Sequence, residues 1–202
     1  MHKMIQNCIN DVWLKRKEEI CIKKLMIRRN EPKMKKKILI SIIMVMSIIM
    51  NAGVETYAYN FNGQTVPYPN NVKIYIYASA SPWAGTIYTY AQKWNECNEI
   101  TITSGTTTDS VILFYGDYNT SNGTYGICVS VNSSKSNITF YNAFTQTSSA
   151  WRNETVVHEV GHALGLAHCN SADNAVSVMR ASGFNNQAKP LSDDKAGISA
   201  KY

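Results

Sequence analysis

The fold class predicted for this 202-residue chain is α+β, a small mixed sheet carrying helices, and three observations predict it. Short runs rich in β-branched and aromatic residues recur between residues 72 and 144, separated by Gly, Asn, Ser and Asp. Two other segments, 83–97 and 149–164, repeat their apolar residues with the period of a helix. The resulting order is strand, helix, several strands, helix, within a length that suits one domain with a modest core.

The chain opens on a segment that is set apart by charge. Residues 1–58 hold twelve Lys and Arg against five Asp and Glu, whereas residues 59–202 hold eight against nine. The net charge of +6 is therefore a property of the leader, and the remainder offers no electrostatic case for binding nucleic acid. Lys35–Lys37 followed by the 13-residue apolar run Ile38–Met50 has the form of a signal peptide and is short for a membrane span. Thr56-Tyr57-Ala58 supplies a small-residue cleavage site, so 34–58 is expected to be a signal peptide and Tyr59 the mature start. Asn51-Ala52 is a weaker alternative site. Residues 1–33, charged and without a core pattern, are expected to be an upstream extension that is not native, with translation starting at Met34. The competing expectation is a signal anchor, because extending the apolar run to Val54 gives 17 residues.

Within 59–202 the elements follow in order. Val72–Tyr77 alternates and is β-branched or aromatic, so it reads as a strand. Pro82 suits a first helical turn, and Ile87, Tyr90, Ala91 and Trp94 form an i, i+3, i+4, i+7 stripe over Trp83–Cys97. Strand-like runs follow at Glu99–Thr103, Val111–Tyr115, Gly126–Val131 and Asn137–Phe144. A second helix begins near Ser148 or Ser149, either of which can cap it, with Trp151, Val156, Val157, Val160 and Leu164 on its buried side. Cys97, Cys128 and Cys169 leave room for one disulfide and one spare thiol in an oxidising compartment, with the pairing open.

That second helix carries the densest chemistry in the chain, His158-Glu159-Val160-Gly161-His162-Ala163-Leu164-Gly165-Leu166-Ala167-His168. His158 and His162 are one turn apart, so both imidazoles leave the same helix face, with Glu159 beside them. Gly165 can end the helix with a positive φ, which lets His168 return as a third ligand. Three protein ligands leave zinc's fourth tetrahedral position open, as in catalytic rather than structural sites. A carboxylate next to that position can accept a proton from water, the chemistry of metal-dependent peptide hydrolysis. Only His2 lies outside the motif among the four histidines. Cys169 is a poor fourth ligand, since its side chain points away from its neighbour's in extended chain.

The extended H-E-x-x-H-x-x-G-x-x-H pattern resembles the signature of the metzincin zinc metallopeptidases. Ser177-Val178-Met179-Arg180, after a turn favoured by Asp173-Asn174, resembles their methionine turn, and Leu191-Ser192-Asp193-Asp194-Lys195-Ala196-Gly197-Ile198 resembles the opening of the matrixin C-terminal helix. In that helix Ser192 is a good N-cap, Asp193 and Asp194 suit the positive end of the helix dipole, and Pro190 sets the boundary. The resemblance covers residues 150–202 well. It implies a twisted mixed sheet with two helices, then the Met-turn and the C-terminal helix. It implies Met179 packed beneath the metal without binding it, and an edge strand that takes the substrate chain by strand addition, for which Asn137–Phe144 is the candidate. It also implies a primed-side wall from the segment between Met179 and Pro190, including Phe184. The histidine count leaves none for a second, structural zinc.

Residues and resemblance together imply a secreted zinc metalloendopeptidase over 59–202. One catalytic zinc would be bound by His158, His162 and His168, with Glu159 as general base. The expected partner is a protein or peptide substrate, with no nucleic acid, no membrane once the leader is removed, and a monomeric state. Calcium stays open, since Asp109, Asp117 and Asp173 form no calcium-loop motif. The alternatives are a secreted binding module stabilised by zinc, or a zinc hydrolase of non-peptide bonds.

Overall fold

The computed structural model describes residues 59–202, so the expected signal peptide and upstream extension lie outside the described residues. The strands are β1 (Val72–Ile76), β2 (Ile102–Ser104), β3 (Ile112–Asp117), β4 (Gly126–Asn132) and β5 (Lys135–Tyr141). The helices are α1 (Ala84–Ala91), α2 (Asn142–Gln146), α3 (Ser149–Ala163) and α4 (Ser192–Lys201).

The five strands form one sheet in the order β2-β1-β3-β5-β4. β1 pairs in parallel with β2 and β3, and β3 in parallel with β5, while β4 runs antiparallel to β5 at the edge. β3 lies between two parallel neighbours, and its run Ile112-Leu113-Phe114 is buried throughout, as expected of such a strand. Ile74, Phe114, Ile138 and Phe140 of the sheet share a core with Ile87, Ala91 and Trp94 from the first helical region and Val156, Val157 and Val160 of α3. Each such large side chain contributes roughly 1.5–3 kcal/mol on burial. The Trp94 indole N–H also donates to Val157 O at 3.0 Å, locking the first helical region onto α3.

The expected elements are present, with differences at their ends and edges. The helix expected over Trp83–Cys97 is α-helical only over Ala84–Ala91, and 3₁₀ turns at Ala78–Trp83 and Gln92–Glu96 extend it. Pro82 belongs to the first of these turns. The strand expected over Asn137–Phe144 ends at Tyr141, where α2 begins, and it is not an edge. The β4–β5 hairpin folds β4 outward while β5 joins β3, so β4 holds the edge position. Ser148 caps α3, its hydroxyl accepting from Trp151 N at 3.3 Å. Trp151 itself is 40 % exposed rather than core, because it stacks on Phe184 outside the sheet. Ser192 is the first residue of α4, not its cap. The Asp194 carboxylate reaches back to Leu191 N instead, at 2.8 Å. Cys97, Cys128 and Cys169 are all free thiols.

Candidate metal centre

α3 delivers His158 and His162 from consecutive turns, and its end is shaped to return His168 to them. Gly165 takes φ +99°, and a Cβ there would collide with Gln64 O and the Lys201 side chain. The reversal is a Schellman turn: Leu166 N donates to Gly161 O and Gly165 N to His162 O, both at 3.0 Å. The His168 Nε2 then lies 3.2 Å from His162 Nε2 and 3.3 Å from His158 Nε2.

Zinc bonds of about 2.0–2.1 Å to nitrogen in a tetrahedron place neighbouring nitrogens about 3.3 Å apart, which the two separations match. The tautomers agree as well. His158 Nδ1 sits 2.8 Å from Val178 O, and His162 Nδ1 sits 2.8 Å from Leu166 O. A carbonyl can only accept, so each Nδ1 carries the proton and each Nε2 offers its lone pair inward. Burial holds His158 down to about 3 and His162 to about 4, so both imidazoles are neutral near pH 7. Among the described residues these three histidines form the one cluster able to hold a metal ion. Asp109 pairs instead with Lys73, and Asp117 accepts from the Thr120 hydroxyl.

Glu159, 7 % exposed, follows the first histidine, and burial pushes its carboxyl up to about 7, tempered by a hydrogen bond from the Cys128 backbone. The start of β4 lies against it, since a Cβ added to Gly126 would meet Glu159 Cγ at 3.2 Å. Met179 is buried against the same helix. A Cβ on Gly161 would collide with Met179 Sδ and approach Trp94 Cζ2 to 2.8 Å, so the glycine makes room for both. Cys169 stays outside the cluster, its Sγ 3.6 Å from Asn174 Oδ1.

Two supports escaped sequence reasoning. Asp194 accepts from Ser177 Oγ at 2.5 Å, Val178 N at 2.8 Å and Leu191 N, tying α4 to the residues around Met179. The Ser177 hydroxyl in turn accepts from Met179 N at 3.0 Å. Glu154, inside α3, accepts from Asn185 N at 2.9 Å and Gln187 N at 3.2 Å, holding the loop that carries Phe184. Phe184 stacks on Trp151 at 4.8 Å and meets Tyr125 edge-on at 5.3 Å. For Asp194 the sequence offered its place at the start of the matrixin-like C-terminal helix but not these partners, and for Glu154 it offered nothing beyond a position on the helix.

The mixed five-stranded sheet with its helices is a matrixin-like fold. The family model described as Matrixin, peptidase M10, matches residues 78–202, and the chain belongs to that family. Similar solved structures include one of myroilysin, 16 % identical with a TM-score of 0.53, covering 71 % of this chain and 98 % of that one. A second myroilysin crystal structure is 17 % identical with a TM-score of 0.50, covering 75 % and 93 %. A chain of the GM1-bound ECX AB5 holotoxin is 14 % identical with a TM-score of 0.50, covering 70 % and 85 %. At these identities the likeness is one of fold. No match was found among curated proteins.

Proposed function

We propose that residues 59–202 are a secreted zinc endopeptidase in which His158, His162 and His168 hold the metal and Glu159 is the general base. The approach of His168 Nε2 to within 3.2 Å of His162 Nε2 and 3.3 Å of His158 Nε2 carries this reading. When bound, zinc supplies Lewis acidity that acidifies water and polarises a carbonyl. Glu159 takes the proton from the attacking water and hands it to the leaving amine nitrogen as the peptide C–N bond breaks. Val178 O and Leu166 O keep two imidazoles in the ligating tautomer throughout. β4, the free edge beside Glu159, receives the substrate main chain as an added strand, in place of the inner strand β5. Phe184, with Trp151 and Tyr125, walls the primed side. Secretion rests on the leader's charge and apolar run, and no helix among the described residues is long and apolar enough to cross a membrane.

The test is zinc content and casein hydrolysis of the chain beginning at Tyr59, beside Glu159→Ala. One zinc in each protein, with the mutant slower by about 10²–10⁴-fold, is expected for loss of a general base. Zinc in both with cleavage by neither would favour a binding module, and unchanged cleavage by the mutant would remove Glu159 from its role.

A further inference from the structure

The stretch just ahead of β1 is bound to the metal-bearing turn. Phe61 pairs with Leu166 as an isolated antiparallel bridge, and around it the segment 60–62 takes up the polar groups of 165–168 one after another. Asn62 N donates to Gly165 O at 3.1 Å, and Ala167 N donates to Asn60 O at 2.8 Å. The Asn62 side-chain amide donates to His162 O at 2.8 Å and to Leu166 O at 3.2 Å. The Asn60 amide donates to His168 O at 3.1 Å.

We propose that Asn60 and Asn62 are positioning residues of the metal centre, whose side-chain amides fix the Gly165–His168 turn and so set where the third imidazole meets the other two. The proposal rests on the zinc reading above. The amide orientations are determined by chemistry: all three partners are carbonyls, which only accept, so each NH₂ must face them. Asn62 Oδ1 is occupied at the same time by Gln64 N at 2.9 Å. A helix end needs no such help for its own sake, because the Schellman turn already occupies the Gly161 and His162 carbonyls. What the two asparagines add is directed at the ligands. They grip the carbonyls of His162 and His168 themselves. They also grip the Leu166 carbonyl that accepts from His162 Nδ1 and so fixes that ring's tautomer.

The experiment measures zinc affinity by chelator competition, together with the visible spectrum of the cobalt-substituted protein, which reads ligand geometry. The proteins are wild type, Asn62→Ala, Asn62→Asp, Asn60→Ala and, as a control in the β3–β4 loop, Asn122→Ala. Asn62→Ala is expected to weaken zinc by about 10–100-fold, the usual effect of losing a partner behind a ligand, and to alter the cobalt bands. Asn62→Asp keeps the acceptor for Gln64 N but lacks the donor, so it should fail like Ala. Asn60→Ala should also weaken zinc, and it carries the test alone if Asn62→Ala does not fold. Asn122→Ala should match wild type. Wild-type zinc affinity and cobalt spectrum in Asn62→Ala, or restoration by Asp, would overturn the proposal. Tight zinc binding by wild type without any proteolysis would instead overturn the peptidase reading and leave this one standing.

Discussion

Glu154 shows what a single buried charge can do away from the chemistry. It is 2 % exposed within α3, and its two oxygens receive Asn185 N and Gln187 N. Glu154→Gln keeps the shape but sets an NH₂ against a backbone N–H. We expect a loss of about 1–3 kcal/mol in urea unfolding and faster proteolytic nicking near residues 183–187, because a buried donor is left unmatched. The thiols give a second expectation at this scale. Burial pushes both Cys97 and Cys128 up to about 12 from 9.0, so near pH 8 these two thiols are far less ionised in the native protein than in the unfolded chain. Native alkylation by iodoacetamide should be correspondingly slow and should quicken in denaturant. The protonated thiol is the form the fold prefers. Its contribution to stability is therefore full below about 9 and is lost as pH climbs toward about 12. Neither Glu154 nor the thiol environments were legible beforehand, since both depend on partners that only tertiary folding brings near.

At the level of elements, α4 and the Met-turn behave as one unit through Asp194. Asp194→Asn replaces an acceptor-only group that receives Ser177 Oγ, Val178 N and Leu191 N. The expected cost is about 1–3 kcal/mol by chemical denaturation, with the change felt at Met179 and in the Val178 carbonyl that orients His158. Periodicity sufficed to find β1, β3 and α3, because the alternation of Val72 and Ile74, the apolar run of β3 and the helical stripe of α3 are local patterns. The three histidines were legible for the same reason: their spacing and Gly165 encode the turn that joins them. The edge strand was not, because whether β4 or β5 faces solvent is decided by pairing with β3, a contact between distant segments. Trp151, expected on the buried side, is exposed for a related reason. Its apolar partner Phe184 lies 33 positions away, on a loop no local pattern predicts.

For the molecule as a whole, the proposed zinc would couple metal binding to folding. The three histidines come from α3 and from the turn after it, and the carbonyls behind two of them come from that turn and from the Met-turn. Zinc at 1,000 times its dissociation constant should therefore stabilise the protein by about 4 kcal/mol. Thermal unfolding with and without chelator measures this. The metal-free chain should still unfold cooperatively, since the core of Trp94, Phe114, Phe140 and Val157 does not depend on the ion.

With β4 as the docking strand of the proposed peptidase, its open edge would make the protein a substrate for itself. A site that accepts a chain through main-chain hydrogen bonds discriminates little between a foreign peptide and an unfolded copy of itself. Folded copies are protected, because their backbone is already paired, but each molecule that unfolds becomes food for those that have not. Heat inactivation should then be second order in protein, with half-lives that shorten as concentration rises and lengthen when Glu159→Ala replaces most of the active enzyme.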